Sequence, residues 1–103
     1  MSKRLAAIDT MLAQKPGDPF IHYARAMELR SLARLEEAAA GFDGVIARFP
    51  DYVPSYLMAA QVASERGLPD AARGHAAQGA DVARRAGDGH ALSELNQFLA
   101  TVA

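Results

Sequence analysis

Apolar positions in this chain recur at three- and four-residue intervals, and glycine or proline interrupts them at regular points. Leu5, Ile8, Met11 and Leu12 fall on one stripe of a helix from about Lys3 to Gln14, which Pro16-Gly17 ends. Asp18 has the residue type of an N-cap, and Pro19 follows at the first helical position, where its missing N–H costs nothing. A second helix is predicted from there to about Leu32. A third covers about Leu35 to Arg48, opens with Glu36-Glu37 where carboxylates suit the helix dipole, and stops before Pro50. Asp51 stands where it would cap a fourth, about Val53 to Arg66, with Gly67 as its stop. Pro69 opens a fifth, which runs to about Arg85 and closes at Gly87. Asp88 starts the sixth, whose Ala91, Leu92, Leu95, Phe98, Leu99 and Val102 share one face, with Ser93, Glu94, Asn96 and Gln97 opposite. Strand signals are nearly absent, and Ala, Leu, Arg, Glu and Met dominate. The expectation is an all-α chain of about six helices whose short connections make neighbours antiparallel.

A longer period lies over this one. The stretches MLAQKPGDPF (Met11 to Phe20) and VIARFPDYVP (Val45 to Pro54) are offset by 34 positions, with Pro16 in register with Pro50 and Asp9 with Asp43. A helix–turn–helix period of 34 carries the pattern W-x2-L-G-x2-Y, then A-x3-F, then P. With Pro50 as the final proline, Ala38 and Phe42 match. Ala26 is the small residue, Leu29 holds the Tyr position, and His22 and Arg25 depart from Trp and Leu. One period on stand Tyr56, Ala59, Ala60, Ala63, Ala72 and Ala76, with Arg84 at the proline. Gly67 sits at the turn between helices, and Ala33 holds that place in the preceding unit. Small residues at Ala26, Ala38, Ala60 and Ala72 let paired helices approach closely, and Phe42 fills the space between them.

On these residues the chain resembles the tetratricopeptide-repeat family, and in particular its small free-standing bacterial members. The resemblance implies a right-handed α-α superhelix. Residues 3–16 match a second helix whose first is missing, 18–51 and 52–86 are two full units, and 88–103 is a capping first helix. Ser93 and Glu94, polar where the inner units have Ala59 and Ala60, suit a helix that no further unit covers. Arg25 falls at a leucine position, so its stem is expected to pack there while its guanidinium reaches solvent or Asp9.

The remaining chemistry narrows the function. With 11 Lys and Arg against 12 Asp and Glu, the net charge of −1 leaves no basic face for a nucleic acid. Cysteine is absent, which excludes disulfides, thiolate metal sites and a cysteine nucleophile. No run approaches the roughly 20 apolar residues of a membrane span, and the N-terminal apolar run is cut by Asp9, so a cytoplasmic location is expected. His22, His75 and His90 occupy different repeat positions without metal-ligand spacing. Glu36 and Glu37 are adjacent on a helix and do not face each other. Gly41 to Gly44 and Gly87 to Gly89 are too short for phosphate loops. No catalytic, cofactor or metal residues are expected, and the chain is not read as an enzyme.

The resemblance implies a concave groove lined by the first helix of each unit. Its positions here are Phe20, Tyr23, Met27, Arg30 and Ser31, then Pro54, Leu57, Gln61, Ser64 and Glu65. They read as an apolar floor with polar sites at one edge, suited to an amphipathic helix or an extended apolar peptide of a partner protein. The chaperone-type members of the family grip a terminal carboxylate with Lys and Asn on these helices. Tyr23, Ala24, Met27, Met58 and Gln61 stand in those regions here, so an acidic chaperone tail does not fit. The alternative expectation is a structural homodimer that uses the same apolar surface.

Overall fold

The computed structural model describes residues 2–102. Among them are six α-helices and no strand: α1 Lys3–Gln14, α2 Pro19–Ser31, α3 Leu35–Arg48, α4 Pro54–Glu65, α5 Pro69–Ala86 and α6 Gly89–Thr101. Each predicted helix is present to within a residue or two of its expected ends. The N-cap chemistry explains several boundaries. The Asp18 carboxylate accepts from Phe20 N at 2.9 Å, and the Asp88 carboxylate accepts from Ala91 N at 3.0 Å. Ser2 caps α1 through its hydroxyl, which accepts from Leu5 N at 3.0 Å.

Asp51 does not cap α4. The chain enters that helix through a tight turn in which Tyr52 N donates to Phe49 O, Ser55 N to Tyr52 O and Tyr56 N to Val53 O. Pro54 has no N–H to offer. The first donors of α4 are therefore satisfied by backbone carbonyls, and Val53 is the capping residue with no side-chain bond.

The two inter-helix turns of the repeat are the same turn. Ala33 and Gly67, one period apart, both take left-handed φ values of 60° and 75°. Ala33 N donates to Arg30 O and Arg34 N to Leu29 O; 34 residues on, Gly67 N donates to Ser64 O and Leu68 N to Ala63 O. This is the Schellman closure of a helix end, which glycine adopts without strain and alanine does not.

Packing follows the alternation of large and small residues. Phe42 is fully buried among Ala26, Leu29, Ala38, Ala59 and Val62, between α2, α3 and α4. Tyr56, equally buried, lies with Val53, Ala60, Ala76, Ala80, Ala83 and Leu95 between α4, α5 and α6. Ile46 touches both clusters and joins them. The tightest approach is at Gly79: a Cβ built there would lie 2.4 Å from Tyr56 Cβ and 3.1 Å from Leu95 Cδ2. Gly79 is thus the residue that lets α5 close on both α4 and α6. On α6, Leu95 takes the deepest place at 1% exposure, while Phe98 is only half-buried. Leu95 therefore packs more deeply than Phe98 against the small residues Ala76, Ala80 and Ala83 of α5.

Two departures from the repeat pattern have physical accounts. At the Trp position, His22 Nε2 donates to Pro16 O at 2.6 Å, and its ring lies beside Phe49 with centroids 6.0 Å apart. It ties the α1–α2 turn to the end of α3. At the Leu position, Arg25 Nε donates to Asp9 Oδ1 at 2.7 Å, which bridges α2 to α1 as its sequence position implies. One buried group is left over. Ser55 Oγ is fully buried without a hydrogen-bond partner among the described residues.

Candidate functional site

Helix α4 lies between α2 and α6 and packs on both, while α3 and α5 stand behind them. Of the expected groove positions, Tyr23, Pro54 and Leu57 lie on the face shared by α2, α4 and α6. A cleft of about 260 Å³ opens there, lined by Tyr23 of α2, by Val53, Pro54, Leu57 and Met58, and by Asp88, His90, Ala91, Glu94 and Leu95 at α6. Its volume falls below the roughly 300–1,000 Å³ of small-molecule sites, so it suits inserted side chains better than a cofactor. A shallower depression continues it between α4 and α6, past Leu57, Gln61, Glu94, Gln97, Phe98 and Thr101. On the other side a third lies along α1 and α2, lined by Ile8, Phe20, Tyr23, Ala24 and Met27 with Arg4, Glu28 and Ser31. Phe20 is 60% exposed at this end, a large uncovered apolar side chain.

Tyr23 is the hinge of the floor. Its ring meets Phe42 edge-on at 5.8 Å and Tyr52 edge-on at 5.6 Å, so it is held by the core on one side and open to the cleft on the other. Burial raises its phenol pKa above the ordinary value, partly offset by the charge of Arg30. Tyr52 is raised as well, by burial first and then by Tyr23 and Asp18. Both side chains are neutral near pH 7 and present hydroxyls rather than charge.

The polar positions behave differently from the apolar ones. Arg30 Nε and Nη2 donate to the Glu65 carboxylate at 3.1 and 2.5 Å, and Nη1 donates to Gln61 Oε1 at 2.8 Å. Nη1 also lies 3.5 Å from Met58 Sδ. Three of the expected groove residues, Arg30, Gln61 and Glu65, therefore bind one another and form a clamp that fastens α2 to α4. Phe20, Tyr23, Met27 and Leu57 remain as apolar surface, and Ser31, Pro54 and Ser64 are exposed. The pattern reading missed the third wall of the cleft. Asp88, Ala91 and Leu95 sit one period after Pro54, Leu57 and Gln61, so the same register contains them.

Among the described residues no three His, Asp or Glu side chains converge to hold a metal, and no helix is long and apolar enough to cross a membrane. His75 faces Asp43 at 3.5 Å, and His90 faces Glu94 at 3.1 Å, each as an isolated pair.

Among solved structures, the chain is similar to a tetratricopeptide repeat domain protein from Salinibacter ruber, determined in solution by NMR. The two are 33% identical over 85% of this chain and 89% of that one, with a TM-score of 0.81. The chain belongs to the tetratricopeptide-repeat family. The crystal structure of the Salinibacter ruber domain protein agrees, at 33% identity over 82% of this tetratricopeptide-repeat chain and 94% of that one, with a TM-score of 0.78. A Bordetella parapertussis protein shares the fold at 19% identity, with a TM-score of 0.85 over 99% of this chain and 89% of that one. No protein-family model and no curated protein matches the chain. The tetratricopeptide-repeat solenoid is a helical repeat fold typically used in protein interaction.

Proposed function

We propose that this protein is a non-catalytic interaction module that takes a helix or short apolar segment of a partner protein into its concave groove. In this reading residues 18–51 and 52–86 are the two full units, 3–16 and 88–103 are half-units, and Phe20, Tyr23, Met27 and Leu57 are the contact residues, with Ala91 and Leu95 added from α6. Arg30, Gln61 and Glu65 shape the groove by clamping its walls. The observation that carries the reading is the apolar cleft spanning α2, α4 and α6, with Tyr23 and Leu57 on its floor. Repeat solenoids present extended concave surfaces of this kind, and helix-in-groove recognition needs an apolar channel with anchoring pockets.

The test is selection from a displayed library of helical peptides, followed by titration of the selected peptides into wild-type protein and a Leu57→Lys variant. Leu57 is half-buried at the cleft floor, so a lysine there fills and charges the channel while its stem can extend outward. Selected peptides that bind wild type and lose binding in the variant support the reading. A library that yields no binder, or binders indifferent to Leu57→Lys, overturns it. A concentration-dependent dimer in light scattering that the same variant dissolves transfers the surface to self-association.

A further inference from the structure

We propose that the segment filling this groove is a cationic amphipathic helix, with apolar anchors one or two turns apart and a Lys or Arg on the edge that faces α6. This rests on the reading of the cleft as a peptide groove and adds the charge of its occupant. The charged groups on the two walls of the cleft are unequally paired. On the α1–α2 and α2–α4 sides the arginines Arg4 and Arg30 already have internal partners. Arg30 is committed to Glu65, Gln61 and Met58, and Arg4 lies 3.4 Å from Glu28. On the α6 side the carboxylates outnumber their partners. Asp88 and Glu94 both line the main cleft, and neither is paired with Lys or Arg among the described residues. Asp88 Oδ1 caps α6 by accepting from Ala91 N, which leaves the other carboxylate oxygen open. Glu94 meets only His90, an exposed residue one helical turn away.

Leu57 and Glu94 are common to the main cleft and to its continuation past Gln61, Gln97 and Phe98. A helix lying along the channel would place an apolar side chain in each depression and bring the residue between them beside Glu94. Lys or Arg there completes an ion pair over an apolar floor, where both can bury their stems. Glu or Asp there would face the Asp88 and Glu94 carboxylates, with no Lys or Arg among the described residues that line the cleft or its continuation.

The experiment uses two synthetic peptides of about five helical turns with the same leucine face, one with lysines and one with glutamates along the edge. Both are titrated by calorimetry into wild type, Glu94→Gln, Asp88→Asn and Glu36→Gln, at low and high salt. Asn keeps the cap at position 88, and Glu36 lies in the first turn of α3, away from the cleft lining. The expected result is that the lysine peptide binds wild type about tenfold more tightly than the glutamate peptide. Glu94→Gln and Asp88→Asn each shrink that ratio about two- to fivefold, high salt shrinks it further, and Glu36→Gln leaves it unchanged. Equal binding of the two peptides in a groove that Leu57→Lys still blocks overturns the charge inference and leaves the groove reading standing. A lysine preference that Glu36→Gln weakens as much as Glu94→Gln also overturns it, because the attraction is then unspecific. Absence of groove binding by both peptides overturns the two readings together.

Discussion

Replacing Gly79 by alanine tests the packing account at its narrowest point. In an exposed helix, Gly→Ala stabilises by up to about 1 kcal/mol, because alanine loses less backbone freedom on folding. At Gly79 the new methyl would sit 2.4 Å from Tyr56 Cβ, 3.0 Å from Tyr56 Cγ and 3.1 Å from Leu95 Cδ2. Ordinary carbon contacts are roughly 3.5–4.0 Å. Neither neighbour can step aside. Tyr56 is fully buried and its hydroxyl donates to Pro50 O at 2.6 Å, while Leu95 is enclosed between α5 and α4. Helix α5 must move outward, and the contacts of Ala76, Ala80 and Ala83 loosen with it. Overpacking costs about 1–3 kcal/mol, and a contact this short belongs at the top of that range. After the propensity gain, the net loss is about 2 kcal/mol, or roughly 8–16 °C in Tm for a domain of this size. Gly44→Ala and Gly74→Ala are the controls, since both sites are helical and exposed with no atom within 4 Å of the added Cβ. Each should melt at or above wild type by circular dichroism. If Gly79→Ala melts with the controls, the α5 interface is looser than described and the argument from small residues fails.

Four further outcomes follow from particular contacts. Ala33→Gly should stabilise by about 1 kcal/mol in urea titrations, because Ala33 holds a left-handed φ of 60° that glycine adopts freely. Ser55→Ala should be neutral or stabilising by about 1 kcal/mol, because it removes a buried hydroxyl with no partner; a clear loss would reveal a bonding partner at Ser55. Leu95→Ala should cost about 2–5 kcal/mol and exceed Phe98→Ala, whose ring is only half-buried; the reverse order in thermal melts would place Phe98 at the centre of the α6 contact. Burial raises the phenol pKa of Tyr23, Tyr52 and Tyr56, so folding keeps their protons. Their contribution is whole below about pH 10 and is lost as pH rises through the raised values, so the protein should unfold in base and Tyr56→Phe should soften that slope.

Most of the fold is legible in the sequence because its punctuation is chemical. Pro19 and Pro69 open helices, Gly67 and Gly87 close them, and Asp18 and Asp88 cap them, each for a reason local to a few residues. Asp51 misleads because a backbone turn satisfies the same donors first, and residue type cannot reveal that competition. Leu95 and Phe98 lie on the same stripe, so periodicity cannot rank them. The rank is set by Gly79, across the helix boundary. At the expected groove positions, residue type alone does not show which polar side chains pair with one another. Arg30, Gln61 and Glu65 look like recognition groups one by one, yet α2 and α4 bring them close enough to satisfy one another. The α6 wall is hidden by its reading as a cap, although Asp88, Ala91 and Leu95 continue the groove register.

The account stands most directly on where a selected helical peptide lands. Backbone amide shifts of isotope-labelled protein, followed by NMR through a titration, would locate it. The predicted result is a contiguous set of perturbations on Tyr23, Leu57, Met58, Ala91 and Glu94, with the exposed residues of α3 and α5 unmoved. Perturbations confined to α3 and α5, with the cleft silent, would contradict it.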